Sequence, residues 1–133
     1  TLILSKNRTE ASIKEALFDG RTVVWYKNEL IGLKKNVKHL IQSYLKINKT
    51  SFKGDTSVLL VEILNKSDVR FVLRVNDGKS IENNSNIFSI LPNGITKIEI
   101  GNSSSRKLDL GVDVLNAFIE PNKHPSLVIS NNW

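Results

Sequence analysis

Residues 9–26, TEASIKEALFDGRTVVWY, constrain the fold more than any other stretch of the chain. Thr9 is a favourable helix N-cap, and Glu10 lies near the positive end of the helix dipole. Gly20 is the residue type that most often ends a helix, and the β-branched and aromatic residues at 22–26 are typical of a strand. A helix followed by a strand is one unit of an α/β layer, which needs further elements to pack against.

The rest of the N-terminal part extends this unit. Ile13, Ala16 and Leu17 recur at helical spacing and predict one buried stripe on the first helix. Residues 2–4 predict a strand, and residues 27–29 predict a turn into residues 30–31, as in a hairpin. A second helix is predicted over residues 33–45. Its apolar face consists of Val37, Leu40, Ile41, Tyr44 and Leu45.

The remaining residues have a different pattern. Turn-forming residues at 48–51 and 53–55 indicate a linker. Short strand-like runs follow, at residues 57–64, 70–75, 87–91, 95–100, 107–119 and 126–130, and the run at 107–119 is one long strand or a bent pair. This spacing favours an antiparallel β-sandwich. The sequence therefore predicts an α+β chain, with a β-α-β(β)-α segment at residues 1–47 and a β-sandwich at residues 48–133.

Composition excludes several classes of function. There is no cysteine, which excludes disulfides, thiolate metal sites and cysteine nucleophiles. No apolar run approaches the ~20 residues of a membrane span, so no membrane partner is predicted. The compartment stays open, with a bacterial periplasmic or other extracytoplasmic location as the favoured expectation. The absence of methionine fits a chain that begins inside a longer protein.

The net charge of +6 is concentrated in the first third of the chain. Residues 1–47 contain nine Lys or Arg against four Asp or Glu. Lys34, Lys35, Lys38 and Lys46, in or just after the second helix, are the candidates for phosphate contact. A nucleic-acid surface normally adds an aromatic platform, and Tyr44 belongs instead to the apolar face. A solvated basic face is the preferred interpretation, and a nucleic-acid-binding domain is the more distant alternative.

No set of residues predicts catalysis or metal binding. His39 and His124 are the only histidines, and their spacing does not indicate a shared metal site. Asp109 and Asp113 fall on one face of a strand about 13 Å apart, which is too far for a retaining glycosidase pair. No nucleophile elbow, P-loop or dinucleotide-binding motif is present. We therefore predict no catalytic, cofactor-binding or metal-binding residue in this chain.

The aromatic residues support one alternative function. Trp25, Tyr26 and Trp133 are candidates for a platform on which a sugar stacks, with Phe52 as a further aromatic residue. Trp25 and Tyr26 are adjacent in a strand and therefore face opposite sides, so one of them is expected in the core. A carbohydrate-binding or other ligand-binding sandwich is thus the alternative to a structural module. It predicts an exposed aromatic pair beside a polar groove.

Residues 12–24, SIKEALFDGRTVV, carry a resemblance to a known family. They resemble the last helix and strand of the polymerase-and-histidinol-phosphatase (PHP) superfamily, which often closes with the phrase I-x-E-A-L-x-x-G-R-T-x-V. Residues 1–32 resemble the closing part of PHP-type phosphoesterases of the Bacteroides group, in which a small immunoglobulin-like β-domain follows the catalytic domain. Residues 114–118 and 122–125 resemble the end of that appended domain.

The resemblance implies a distorted β/α barrel that hydrolyses phosphoesters with divalent metals held by clustered His and Asp/Glu residues. Those motifs come earlier in the family, and no His-x-His or Asp-x-His motif is present here, so no metal ligand is carried over. The chain is then a non-catalytic C-terminal piece whose partner is the upstream catalytic domain. Apolar partners would be needed by residues 2–4, Ile13, Leu17 and residues 23–25, and without the barrel these residues would favour self-association.

Overall fold

The computed structural model describes residues 2–4, 6–79, 81, 86–103 and 105–131, and within them all side chains except those of Leu17 and Phe18. The first elements are β1 (Leu2–Ile3), α1 (Glu10–Phe18), β2 (Thr22–Tyr26), β3 (Glu29–Gly32) and α2 (Lys34–Tyr44). Eight strands follow: β4 (Leu45–Phe52), β5 (Leu59–Asn65), β6 (Phe71–Val75), β7 (Ile87–Ile90), β8 (Gly94–Ile100), β9 (Asp109–Val114), β10 (Ala117–Phe118) and β11 (Ser126–Ser130).

The strands form three sheets. The N-terminal sheet has the order β1-β2-β3-β10, and the other two have the orders β4-β5-β8 and β11-β9-β6-β7. All pairings in the latter two sheets are antiparallel. These two sheets make the sandwich, which confirms the predicted α+β architecture. In the N-terminal sheet, β10 comes from the C-terminal part of the chain and runs parallel to β3.

Strict alternation along the strands builds the core of the sandwich. Every second residue of β5 and β6 is buried, from Leu59 to Asn65 and from Phe71 to Val75. Leu110, Val112 and Val114 of β9, which pairs with β6 in the same sheet, are also fully buried. A strand whose side chains alternate in this way places one row in the core and the other towards solvent. The predicted strand at 107–119 is a bent pair, because a turn at residues 115–116 separates β9 from β10.

The two helices pack unequally. Val37 and Ile41 of α2 are fully buried, as its apolar periodicity predicted. On α1 the predicted stripe is only partly correct, because Ala16 is fully buried but Ile13 is 36% exposed. The side chain of Leu17, its third member, lies outside the described residues. Gly20 ends α1 with φ of 68°, a left-handed conformation that favours glycine. No described helix is long and apolar enough to cross a membrane.

The predicted linker at residues 48–51 lies inside a strand. β4 begins at Leu45, directly after α2 ends at Tyr44, and continues to Phe52. Polar residues 48–51 are tolerated because β4 is an edge strand of its sheet, with one face open to water. The boundary between domains at residues 47 and 48 remains a prediction.

Candidate functional site

The N-terminal sheet presents an apolar outer face to solvent. This outer face consists of Ile3, Val24, Ile31, Leu33 and Phe118. Val24 pairs with Ile31, and Ile31 pairs with Phe118, so these three side chains are neighbours on one side of the sheet. Val24 is 44% exposed and Leu33 57%. A groove of about 690 Å³ runs along this face, bordered on its far side by Ile119 and Pro121.

Two asparagines join this sheet to the sandwich. Asn28 lies in the two-residue turn between β2 and β3, where Lys27 and Asn28 have φ of 50° and 62°, as a type I′ turn requires. Its side chain donates to the carbonyl of Arg70 (2.8 Å) and accepts from the amide of Arg70 (3.0 Å). The Asn116 side chain donates to the carbonyls of Asn28 and Arg70 at 2.8 Å each and accepts from the amide of Val72 at 2.9 Å. We call Asn28 and Asn116 the asparagine clasp.

A small polar cleft lies where the N-terminal sheet meets the sandwich. Its volume is about 270 Å³. Its aromatic and polar lining residues are Trp25, Tyr44, Lys66, Ser67, Asp68 and Asn93. We call it the junction cleft. The expectation that Trp25 or Tyr26 is a core residue was wrong, because they are 37% and 62% exposed. They are the last two residues of β2. Trp133, the third aromatic candidate, lies outside the described residues, and Phe52 is half-buried.

A second cleft, of about 450 Å³, is basic. Lys6, Arg21, Lys35 and His39 contribute to its lining. Glu15 lies 2.8 Å from Arg21 and 3.4 Å from Lys6, so it neutralises part of this charge. The hydrogen bond and charge of Lys6, supported by Arg21, hold the pKa of Glu15 below its usual value. Arg21 Nε is buried without a hydrogen-bond partner among the described residues. Of the four candidate lysines, Lys35 lines this cleft and Lys46 borders a separate groove beside β11.

The ionisable candidates do not meet in one site. His39 is exposed on α2, whereas the Nδ1 atom of His124 lies 2.9 Å from the carbonyl oxygen of Ala117 and its ring packs on Phe118. Asp113 binds Arg74 at 2.8 Å and accepts from Asn76 and Ser126, while Asp109 is exposed. Within the described part of the chain, no three His, Asp or Glu side chains are grouped to hold a metal ion. These residues therefore do not fit the metal centre of the PHP superfamily.

The fold defines the class of this protein as an Ig-like β-sandwich with an N-terminal α/β extension. A family model for DUF5001, described as an Ig-like domain, matches residues 45–130. The chain belongs to that family. No curated protein matches the sequence.

A solved structure extends the likeness beyond the family match. It is a two-domain protein from Bacteroides vulgatus containing a predicted PHP-like metal-dependent phosphoesterase. The TM-score is 0.76 at 20% identity, and the match covers 97% of this chain but 37% of that protein. At this identity the likeness concerns the fold. It includes the N-terminal elements that the family model leaves out, so the sandwich and the α/β extension occur together in both proteins, as the sequence resemblance implied.

Proposed function

We propose that this chain is the non-catalytic C-terminal part of a PHP-like phosphoesterase and that its outer face packs on the preceding catalytic domain. In this role the Ig-like sandwich is a structural module that supports the barrel. The observation that carries the proposal is the apolar outer face of the N-terminal sheet. The resemblance assigns the divalent metals and the phosphoester chemistry to the preceding domain.

The side chains of the outer face favour a surface that a partner covers over one that stays in contact with water. An antiparallel sheet with one wet face normally alternates apolar and polar residues. In β2 and β3 the inward Val23 and Leu30 are fully buried, and the outward Val24 and Ile31 are also apolar. Thr22 and Glu29 lie at the ends of these outward rows, so the apolar patch is centred on Val24 and Ile31. Soluble monomers rarely expose a contiguous patch of this kind, so a partner is expected to cover it.

Two observations favour the preceding domain as that partner. β1 is an edge strand of the N-terminal sheet, so any segment before it reaches this sheet first. The structural neighbour has a second domain, and this chain corresponds to little more than a third of its length. A second copy of the chain, as self-association predicts, is the competing occupant.

The test uses the complete reading frame that contains this sequence. Ile31→Lys places a charge on the outer face, and Val128→Lys is the matched control, since Val128 is a strand residue of the sandwich that is 55% exposed. We expect Ile31→Lys to split thermal unfolding into two transitions, because the domains lose their common interface. It should also expose the region before β1 to limited proteolysis. Val128→Lys should change neither property.

Each alternative has a distinct result. A reading frame without clustered His and Asp motifs before this sequence would overturn the assignment to a PHP-like protein. Equal unfolding of the two variants would overturn the docking surface. Sedimentation that shows a dimer abolished by Ile31→Lys alone would assign the outer face to a second copy instead.

A further inference from the structure

We propose that the junction cleft binds a neutral saccharide, with Trp25 as the stacking surface and Asp68 and Asn93 as the groups that bind its hydroxyls. The proposal does not rest on the function proposed above. Trp25 follows Val24 in β2 and so lies on the other side of the N-terminal sheet from the outer face. The two surfaces can therefore be tested separately.

Trp25 supplies an aromatic surface that the core does not use fully. It lies on the same side of β2 as Val23, which is fully buried, and pairs with the fully buried Leu30. More than a third of Trp25 nevertheless remains accessible to solvent. The C–H face of a sugar ring packs on such an indole surface, which has a large apolar area and one polar N–H.

Tyr44 lines the cleft together with Trp25. It is the last residue of α2 and is half-buried, and the amide of Lys66 donates to its carbonyl oxygen at 3.0 Å. Burial, with a smaller contribution from the negative charge of Asp68, raises the pKa of Tyr44. A tyrosine hydroxyl is protonated at neutral pH even without this shift, so it can serve as a hydrogen-bond donor and acceptor. The cleft thus combines two aromatic side chains from different elements.

Asp68 and Asn93 form the polar side of the cleft. Asn93 Nδ2 donates to Asp68 Oδ1 at 2.5 Å, so the two side chains hold one another in place. Among the described residues no donor binds the second carboxylate oxygen of Asp68 or the amide oxygen of Asn93, so both can accept from hydroxyl groups. An adjacent acceptor pair of this kind suits the vicinal hydroxyls of a sugar.

The backbone around these groups is already ordered. Asn93 has φ of 50°, and its amide donates to the carbonyl of Ser67 at 2.9 Å. Ser67 is fixed in turn by the buried Asn65 side chain, which accepts from the Ser67 hydroxyl at 2.7 Å and from its amide at 3.0 Å. The asparagine clasp holds the hairpin that carries Trp25. Binding therefore loses little conformational entropy in ordering the protein.

The charges of the lining favour a neutral ligand. Among the lining residues, Lys66 and Asp68 contribute one positive and one negative charge, so the lining itself has no net charge. Lys46 lies beside Lys66 and lowers its pKa, but it is not a lining residue. A nucleotide, which also stacks on indole rings, would bring phosphate close to the Asp68 carboxylate. The volume lies just below the ~300 Å³ at which pockets for drug-sized ligands begin, so one sugar ring fits. We expect dissociation constants on the order of millimolar.

The experiment uses the full chain with Trp133→Phe, which leaves Trp25 as the only tryptophan. Maltose, cellobiose, lactose, mannobiose and xylobiose are titrated and followed by tryptophan fluorescence and by amide chemical shifts. We expect a saturable change with at least one disaccharide, centred on Trp25, Ser67, Asp68 and Asn93. Trp25→Ala and Asp68→Ala should each weaken that binding about tenfold.

Tyr26→Ala is the matched control, since Tyr26 is the neighbouring aromatic residue on the opposite side of β2. It should leave the affinity unchanged. Asp68 and Asn93 are exposed, so Asp68→Ala and Asn93→Ala keep the test valid if Trp25→Ala fails to fold. The proposal is overturned if no disaccharide gives a saturable change, or if Tyr26→Ala weakens binding as much as Asp68→Ala. Tighter binding of AMP than of any sugar would overturn it as well.

Discussion

The sandwich and the N-terminal sheet are both built from strands rich in apolar residues, but they differ in how much of that apolar surface is buried. In the sandwich, β5 alternates buried and half-buried residues along its whole length. In β2 only Val23 is fully buried, and the three residues after it are exposed. The apolar row of β5 is thus covered by the core of the sandwich. In the N-terminal sheet only the side that carries Val23 is covered, and the side that carries Val24 is exposed. The N-terminal sheet is therefore the region in which apolar strand residues remain exposed on one side.

The sharpest test of the sandwich as the stable region is Phe71→Ala. Phe71 is fully buried, and its removal should lower the free energy of unfolding by about 3–5 kcal/mol. Urea unfolding measures this loss. Phe52→Ala, on the half-buried edge of β4, should cost clearly less. Equal losses from the two variants would contradict the picture of a single core centred between the sandwich sheets.

Asn116→Ala tests the connection between the two regions. It removes hydrogen bonds to the carbonyls of Asn28 and Arg70 and from the amide of Val72, and we expect a loss of about 2 kcal/mol. Hydrogen exchange should rise in the β2–β3 hairpin more than in β5. Asn48→Ala is the control, because within the described part of the chain its side chain makes a single long contact, 3.5 Å to Glu62. Uniform exchange across the molecule would argue against a clasp that joins two regions.

Asp113 tests how much the ion pair and hydrogen bonds on the sandwich surface contribute to the stability of the fold. Burial alone raises the pKa of Asp113, but hydrogen bonds from Ser126, Arg74 and Asn76, with the charge of Arg74, together hold the pKa below its ordinary value. A carboxyl group with a lowered pKa in the folded state stabilises the protein above its unfolded pKa of about 3.9. This contribution disappears as the pH falls through the folded pKa.

Asp113→Asn should therefore lower the melting temperature at neutral pH and make it less sensitive to acid below pH ~4. Melting temperatures measured across this range by circular dichroism provide the comparison. Asp109→Asn, an exposed position on the same strand, serves as the control. If both variants retain the acid dependence of the unmodified chain, Asp113 does not supply it.

The smallest effect is expected on the outer face. Ile31→Thr in the chain alone should change the free energy of unfolding by no more than about 0.5 kcal/mol, because Ile31 is 43% exposed. Leu30→Thr, one residue earlier and fully buried, should cost about 3 kcal/mol. Urea unfolding of the two variants compares the two faces of one strand. A large loss from Ile31→Thr would show that the outer face is already covered within this chain.

Most of the strands and the second helix could be predicted because their patterns are local. The alternation of Phe71, Leu73 and Val75 and the helical spacing of Val37 and Ile41 each match the buried residues observed. The predictions failed where the burial of a residue depends on which distant segment packs against it. Alternation showed that Trp25 and Tyr26 face opposite sides, but it carried no information on whether either side is covered. The polar residues at 48–51 resembled a linker because an edge strand and a loop both tolerate them.

The candidate sites lay beyond sequence reasoning for a related reason. The junction cleft combines residues 25, 44, 66–68 and 93, which belong to a strand, a helix end and two turns. The asparagine clasp links residues 28 and 116, which are 88 positions apart in the chain. Neither set forms a motif with characteristic spacing. The positive charge of residues 1–47 was evident from the sequence. Glu15 partly neutralises Lys6 and Arg21, but these contacts depend on how the segments before and after α1 fold against that helix.

The sequence by itself determined the succession of an α/β segment and a β-sandwich, because periodicity and turn residues act over a few positions. The resemblance in residues 12–24 also indicated the family context before any contact was known. Only the tertiary structure decided that β10 returns to join β3, that the outer face of the N-terminal sheet stays open and that Trp25 borders a polar cleft. These features depend on contacts between distant residues, and burial is a property of such contacts rather than of any single segment.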